Sequence, residues 1–184
     1  MKRYKIAIVV GSLRKASFNR KVAKELIRLQ PESLDMEIVD IGNLPLYNQD
    51  SDTENPPEGW QNFRQQVKSA DGVLFVTPEY NRSIPGVLKN AIDVGSRPYG
   101  QSAWQGKPGA VVSVTPGGLG AFGANHVLRQ SMVFLNVPMM QQPEAYIGHI
   151  STSLDKDDHL VEATEKLLKT FIDAYAKWVE KHND

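Results

Sequence analysis

Short apolar runs alternate along this chain with segments whose apolar residues recur every three or four positions. Tyr4–Val10 and Gly72–Thr77 are almost unbroken apolar runs, a pattern typical of strands covered on both faces of a parallel sheet. Further strands are predicted at residues 36–40 and 110–114, and a fifth is predicted to begin within residues 137–140. The hydrophobic pattern therefore indicates five strands.

The segments between these strands predict helices with one apolar face. In residues 19–30, Val22, Leu26 and Leu29 lie on a common face at helical spacing. Further helices are predicted at residues 60–70, 85–94 and 125–135. A last helix is predicted near the end of the chain from the apolar stripe Leu160, Leu167, Phe171, Tyr175 and Trp178. Residues 44–57 are rich in Pro, Asn and Asp and are predicted to form a long surface loop.

Repeated strand–helix units imply right-handed crossovers and a parallel sheet with helices on both faces. The length of 184 residues is consistent with one domain spanning residues 1–184. Five strands fit a three-layer, doubly wound α/β fold of the flavodoxin-like type, with strand order 2-1-3-4-5. In that order the ligand crevice opens between the carboxyl ends of strands one and three, so the loops after those strands are expected to carry function.

Composition narrows the possible functions. The 21 Lys and Arg residues balance 21 Asp and Glu residues, and no basic cluster indicates a nucleic-acid surface. The sequence has no cysteine, which excludes disulfides, thiolate zinc sites and cysteine nucleophiles, and its four histidines show no metal-ligand spacing. No signal peptide opens the sequence and no apolar run is long enough to span a membrane. We therefore expect a soluble, cytoplasmic protein that binds neither nucleic acid nor a membrane.

The most informative segment is residues 11–19, which follow the first strand directly and open a helix. Ser12 and Ser17 supply hydroxyls, while Asn19 and Arg14 supply an amide and a guanidinium beside the free N–H groups of the helix start. The segment matches neither G-x-G-x-x-G nor G-x-x-x-x-G-K-[ST], so it indicates neither a dinucleotide nor a P-loop site. Side-chain donors of this kind suit a terminal phosphate monoester such as that of FMN. Alternatively, Ser17 only caps the helix and Arg14 is solvated.

Two more loops follow strands at the same edge of the predicted sheet. Residues 77–86 include Glu79, Tyr80 and Asn81, which suit a flat ring that needs both stacking area and hydrogen bonds. Residues 113–123 are rich in glycine, which lets the backbone approach a ligand with its N–H groups free. Each loop also has a simpler interpretation. The first is an ordinary polar connection, and the second is a turn that binds no ligand. Three such loops at one edge favour a shared ligand.

These motifs resemble those of the NADPH-dependent FMN reductase family, whose members include bacterial quinone, azo-dye and chromate reductases. The likeness extends to about residue 150 and rests on Gly11-Ser12-Leu13-Arg14-x-x-Ser17-x-Asn19, Pro78-Glu79-Tyr80-Asn81 and Ser83-x-Pro85-Gly86-x-Leu88-Lys89-Asn90-Ala91-Ile92-Asp93. It implies bound FMN, with contacts at Ser12, Leu13, Arg14, Ser17, Phe18, Asn19, Pro78, Glu79, Tyr80, Asn81, Arg82, Thr115 and Gly117. The first six would hold the phosphate, with Leu13 and Phe18 contributing backbone or packing, and the others would lie along the flavin ring.

The resemblance further implies an enzyme in which FMN passes hydride from NADPH or NADH to a small acceptor such as a quinone, an azo compound or chromate. Such a cycle needs no catalytic side chain, in agreement with the absence of a Ser-His-Asp or paired-carboxylate pattern from the sequence. The alternatives are a reductase that releases reduced FMN to a partner enzyme, a non-catalytic electron carrier like flavodoxin, and a flavin-free module. The balanced charge argues against the carrier, because flavodoxins are usually strongly acidic. Three convergent loops argue against the flavin-free module.

The third and fourth predicted helices carry more apolar residues than one sheet face needs. Those residues are Val87, Leu88, Ala91, Ile92 and Val94 in the third helix, and Val127, Leu128, Met132, Val133, Phe134 and Leu135 in the fourth. Burial within the monomer is one interpretation, and packing of these helices against a second copy is the other. The resemblance favours a homodimer or homotetramer. Val94 stands where family members often carry an aromatic residue, a departure that concerns assembly more than FMN binding.

Overall fold

The computed structural model describes residues 2–184 and contains a five-stranded sheet in which neighbouring strands are parallel. The strands are β1 (Tyr4–Val10), β2 (Leu34–Val39), β3 (Gly72–Thr77), β4 (Gly109–Val114) and β5 (Ala145–Ile147). Their spatial order is β2-β1-β3-β4-β5, which confirms the predicted flavodoxin-like topology. The central pair β1 and β3 is the point at which the winding direction of the chain reverses.

Five α-helices connect or follow the strands: α1 (Phe18–Leu29), α2 (Glu58–Ser69), α3 (Gly86–Gly95), α4 (Phe122–Phe134) and α5 (Glu162–Asn183). Short 3₁₀ turns occur at Gln49–Ser51 and Ile150–Thr152. The hydroxyl of Ser17 accepts the Arg20 N–H at 3.2 Å, which places the cap of α1 directly before Phe18. No helix within residues 2–184 is long and apolar enough to cross a lipid bilayer.

The core has two halves, one on each face of the sheet. Along β1, Ile6 and Ile8 belong to the half covered by α1 and α5, whereas Ala7 and Val9 belong to the half covered by α2, α3 and α4. This alternation follows from the two-residue period of a strand. Helices on both faces explain why the central strands are apolar on both sides. The resulting three-layer arrangement places α1 and α3 on opposite faces and brings their N-termini to the carboxyl edge of the sheet.

The fifth strand lies later in the chain than predicted. The prediction began it within residues 137–140, but β5 is Ala145–Ile147. The predicted segment touches the sheet at one point, where the Gly109 N–H donates to Pro138 O at 3.0 Å and the Met140 N–H donates to Gly109 O at 2.7 Å. Proline has no N–H to donate, so Pro138 and Pro143 prevent a continuous ladder through this segment.

The apolar stripe predicted for the last helix is confirmed at Phe171 and Tyr175 and is wrong at its start. Leu167 is 45% exposed, while its neighbour Leu168 is fully buried, and Leu160 is buried but precedes the start of α5. The helix buries the face formed by Leu168, Phe171, Ile172, Tyr175, Ala176 and Val179. Because Leu167 and Leu168 are adjacent, the sequence does not show which of the two lies on the buried face of the helix. Packing against the sheet buries Leu168.

Candidate active site

The loops after β1, β3 and β4 meet at the carboxyl edge of the sheet, where they form a cavity of about 90 Å³. Residues of all three loops line it: Ser12, Arg14, Ser17, Phe18, Asn19, Pro78, Glu79, Tyr80, Val114, Thr115 and Pro116. This position, at the point where the winding direction reverses, is where flavodoxin-like sheets bind ligands. The structure therefore brings the three predicted loops together at one site.

A second cavity, of about 390 Å³, adjoins the first. It is lined by Gly11, Ser12, Leu13, Arg14, Tyr80, Pro85, Gly86 and Val87, and it shares Ser12, Arg14 and Tyr80 with the smaller cavity. Leu13 and Tyr80 expose 57% and 52% of their surface at its rim. The two cavities together form a cleft with a polar end beside α1 and a more apolar end beside the start of α3, as a phosphorylated aromatic ligand requires.

A further cavity of about 350 Å³ lies away from this edge, against β1, β2 and α2. Its charged lining residues are Lys5, Asp35 and Glu37. No residue from the loops after β3 and β4 lines this cavity, so the hydrogen-bond donors of the three predicted loops do not face it. The cleft at the carboxyl edge is therefore the better candidate for the site of chemistry.

The polar end of the cleft presents donors that the described part of the chain leaves unused. The backbone N–H groups of residues 12–19 donate no hydrogen bond to residues 2–184, and Arg14 is exposed and pairs with no carboxylate among those residues. Asn19 is 5% exposed, and its Oδ1 atom is buried without a partner within the same residues. A buried polar atom without a partner is rare in folded proteins, so Asn19 Oδ1 indicates a missing partner. Clustered N–H groups, hydroxyls and a guanidinium fit a phosphate group.

The second loop contains a tight turn that fixes Tyr80. The Tyr80 N–H donates to Ser83 O at 3.0 Å, and the Ser83 N–H donates to Tyr80 O at 2.9 Å. Between them, Asn81 and Arg82 both adopt left-handed backbone conformations, with φ of 52° and 63°. Two successive positive φ values define a type I′ turn, which Asn tolerates better than Arg. A non-glycine residue in this conformation is a recurrent feature of functional sites.

Glu79 has a contact that the sequence did not indicate. Its carboxylate accepts the backbone N–H of Ala124 at 3.0 Å, and Oε1 lies 3.5 Å from the Arg82 guanidinium. Ala124 lies in the first turn of α4, a helix whose own capping residue, Ala121, has no side-chain acceptor. Glu79 therefore caps α4 from the second loop. Its carboxylate already has hydrogen-bonding partners within the protein, independently of any ligand.

The third loop is held from beneath by buried polar side chains. The Ser113 hydroxyl donates to Gly120 O at 2.6 Å, and the Asn125 amide donates to the Ser113 hydroxyl at 3.1 Å. Ser113 and Asn125 are fully buried, and neither was among the predicted site residues. Their signal in the sequence is weak: each is a polar residue within a segment that otherwise buries apolar side chains.

Most of the predicted contact residues reach the cleft and three do not line it. Ser12, Arg14, Ser17, Phe18, Asn19, Pro78, Glu79, Tyr80 and Thr115 line the smaller cavity, and Leu13 lines the larger one. Asn81, Arg82 and Gly117 are exposed beside the cleft and line neither cavity. Gly117 is next to the site, because its N–H donates to the Thr115 hydroxyl oxygen at 3.2 Å.

One tyrosine near the third loop is a poor acid or base. Burial and a hydrogen bond to Glu144 raise the pKa of Tyr146 to about 12, so its phenol stays protonated at neutral pH. The Tyr146 hydroxyl also lies 3.0 Å from Nε2 of His126. Tyr146 and His126 line neither cavity. They therefore add no acid or base to the cleft, whose residues are suited to binding and orienting a ligand.

The similarity of the chain to known proteins fits this geometry. A profile of the family described as NADPH-dependent FMN reductase matches residues 4–152. The chain belongs to this family. A quinone reductase of Pseudomonas putida is 60% identical over 177 residues, covering 96% of this chain and 95% of the relative. A 2-hydroxy-1,4-benzoquinone reductase of a Burkholderia species is 51% identical over 176 residues, covering 95% of this chain and 96% of the relative.

Among solved structures, the flavoenzyme NAD(P)H:(acceptor) oxidoreductase FerB from Paracoccus denitrificans has a TM-score of 0.91 and 42% identity to this chain. The match covers 97% of this chain and 98% of that structure. Membership of the NADPH-dependent FMN reductase family makes the protein an enzyme with FMN as cofactor and NAD(P)H as hydride donor. The residues present fit FMN, because the unused N–H groups and the Arg14 guanidinium can donate to its phosphate, and the unpartnered Asn19 Oδ1 can accept from a ribityl hydroxyl.

Proposed function

We propose that the protein is an FMN-dependent NAD(P)H:quinone oxidoreductase. The observation that carries the proposal is the cleft itself, in which an unused set of phosphate donors adjoins a cavity rimmed by Leu13 and Tyr80. The names of two relatives, a quinone reductase and a 2-hydroxy-1,4-benzoquinone reductase, support a quinone as acceptor. Azo compounds and chromate are further candidate acceptors, because they too are electrophiles that accept electrons in solution.

The side chains and backbone of the cleft have binding and orienting roles in this proposal. Bound FMN supplies the ability to accept and donate a hydride equivalent. Arg14, Ser12 and the N–H groups of residues 12–19 hold the phosphate. Tyr80, fixed by its tight turn, offers an aromatic surface beside the ring, and Thr115 bounds the ring from the third loop. The N–H groups of Asn81 and Arg82 have no acceptor within residues 2–184 and are available to the polar edge of the ring.

The decisive experiment is steady-state oxidation of NADPH and of NADH by the purified protein with 1,4-benzoquinone, with and without added FMN. We expect the protein to retain yellow flavin on purification and to turn over without added FMN. Turnover that appears only with excess FMN, and release of reduced flavin, would instead support a reductase that supplies flavin to a partner. Bound flavin without turnover would support an electron carrier.

The role of the second loop has its own test. We expect Tyr80→Ala and Asn81→Ala to lower turnover or change the absorption spectrum of bound flavin while the far-ultraviolet circular dichroism stays the same. The reason is that Tyr80 lines both cavities and Asn81 occupies the strained turn that fixes it. Wild-type spectra and rates in both variants would show that the second loop does not contact the ring.

We also propose that the enzyme is a homodimer or homotetramer, although the structure changes the surface on which this rests. In α3, Leu88, Ala91, Ile92 and Val94 are buried within the monomer and Val87 is half-buried against the same core, so the predicted apolar excess of this helix is wrong. In α4, by contrast, Val133 and Phe134 are 77% and 79% exposed. Adjacent exposed apolar side chains of this size favour an interface. Light scattering at micromolar concentration tests the proposal, and a monomer that keeps FMN and full activity would contradict it.

A further inference from the structure

The start of α4 joins the second and third loops of the cleft. Ala121, the residue before the helix, has a φ of 57° and no side chain that could accept a hydrogen bond. The Glu79 carboxylate takes over this task by accepting the Ala124 N–H at 3.0 Å. A negative charge at a helix N-terminus is favoured by the helix dipole as well as by the hydrogen bond. The second loop is therefore attached to α4 through one side chain.

This attachment requires the absence of a side chain at residue 123. A Cβ atom added to Gly123 would lie 2.9 Å from Glu79 Oε2 and 3.1 Å from Arg82 O. The first distance is shorter than real Cβ contacts, so the carboxylate would have to move. Gly123 has no positive φ, so the backbone itself would accept alanine. The glycine therefore serves the approach of Glu79 and of the tight turn that contains Arg82.

The same turn of α4 also supports the third loop. Asn125, next to Ala124, donates to the hydroxyl of Ser113, which in turn donates to Gly120 O. Arg129 completes the chain by donating from Nε to Asn125 Oδ1 at 2.9 Å. Ser113 and Asn125 are fully buried, so breaking the chain leaves polar groups without water to replace the lost partner. Gly120 is thereby held at a fixed place above β4.

We propose that the first turn of α4 sets the spacing between the second and third loops, with Glu79 and Ser113 as positioning residues for the flavin ring. The inference rests on the proposed function, since it assumes that FMN occupies the cleft. Tyr80 and Thr115 line the smaller cavity from these two loops, so FMN is held between them only if their separation is fixed. Small displacements of groups that orient a reacting molecule have large effects on its chemistry.

The first test is FMN titration of the apoprotein of Glu79→Ala, followed by quenching of flavin fluorescence and by visible circular dichroism of the bound flavin. We expect the dissociation constant to rise about tenfold, because the second loop is no longer attached to α4 and FMN binding must then supply the free energy that orders it. The circular dichroism should change because the surroundings of the ring change. Glu79→Gln should restore both readouts most of the way, since the amide oxygen still accepts the Ala124 N–H. Glu58→Ala is the matched control, an exposed acid in the first turn of α2.

Gly123→Ala is the second variant, and it separates positioning from folding. Alanine favours a helix more than glycine does, and this gain offsets the lost cap, so the melting temperature of the apoprotein should change little. FMN affinity should nevertheless fall and the circular dichroism of the bound flavin should change, because the carboxylate is displaced. Wild-type affinity and circular dichroism in both Glu79→Ala and Gly123→Ala would overturn the inference. A wild-type protein that binds no FMN would overturn the proposed function, and the inference with it.

Discussion

The two edges of the sheet use their polar groups in opposite ways. At the amino edge, the buried hydroxyl of Tyr175 is shared between Val73 O at 2.9 Å and Pro108 O at 3.1 Å. Close by, the ammonium of Lys107 donates to the last carbonyls of the α2 region, at Lys68 and Ala70. At the carboxyl edge, the N–H groups of residues 12–19 and the guanidinium of Arg14 find no acceptor within residues 2–184.

This difference separates stability from binding within one sheet. Groups that bond inside the protein contribute to the free energy of unfolding, whereas groups left without an internal partner contribute when a ligand supplies the acceptor. The carboxyl edge also has internal hydrogen bonds that fix its loops, as at Glu79 and Ser113. We therefore expect substitutions at the two edges to change different measurements, and three variants test that expectation.

The largest effect is expected at the amino edge, for Gly72→Ala. The added Cβ would lie 2.8 Å from the Tyr175 hydroxyl, 3.0 Å from Ile6 Cδ1 and 3.1 Å from Pro108 O. Crowding of this kind in a packed core costs up to about 3 kcal/mol of unfolding free energy. Urea denaturation of the apoprotein measures the loss. At a temperature where the variant is folded, its FMN affinity should equal that of the wild type. A weaker affinity would contradict the expectation that the amino edge contributes to stability and not to binding.

The opposite result is expected for Arg14→Ala at the carboxyl edge. A charge-assisted hydrogen bond to phosphate is worth roughly 1.5–3 kcal/mol, so FMN affinity should fall about tenfold or more. Arg14 is exposed and has no carboxylate partner among the described residues, so the unfolding free energy of the apoprotein should change by less than about 0.5 kcal/mol. Equilibrium titration with FMN decides the matter, because unchanged affinity would remove Arg14 from the phosphate site.

The smallest effect is expected for Tyr175→Phe, which deletes one hydroxyl at the amino edge and keeps the ring. Burial raises the pKa of Tyr175 well above its ordinary value, so the phenol is a hydrogen-bond donor at neutral pH. Its loss should lower the unfolding free energy by about 1 kcal/mol. FMN affinity and turnover should not change. A drop in FMN affinity without a drop in unfolding free energy would show that this hydroxyl at the amino edge also affects binding in the cleft.

The sequence predicted those parts of the fold that have local signals. The buried strands β1 and β3 and the segment 11–19 combine a short apolar run, small turn residues and a helix start within a few positions, and the structure has each where it was predicted. The repeated strand–helix units predicted a parallel sheet, and five strands fitted the order that the structure has. The donors of Ser12 and Arg14 could likewise be recognised, because their residue types and their position after a strand are visible in the sequence.

The parts that were missed depend on distant partners. The capping of α4 joins Glu79 to Ala124, and nothing near either residue in the sequence reveals the other. β5 was misplaced because the apolar residues at 137–140 have the pattern of a strand, whereas in the structure they make only an isolated bridge at Gly109 and the strand is Ala145–Ile147. In α5, Leu167 and Leu168 are equivalent in the sequence and differ only once the helix packs on the sheet. In each case tertiary contacts selected among local alternatives.

The unused N–H groups of residues 12–19 have a consequence for how this site tolerates change over evolution. A peptide N–H is the same whichever side chain its residue carries, so ordinary point mutations in the segment leave these donors in place. Proline alone deletes one, and the segment contains no proline. The backbone part of phosphate anchoring is thus insensitive to point mutation, and the exposed side chain of Leu13 at the rim can change without removing these donors. Such a protein can change which electron acceptor it reduces through substitutions at the rim of the cleft, without first losing FMN.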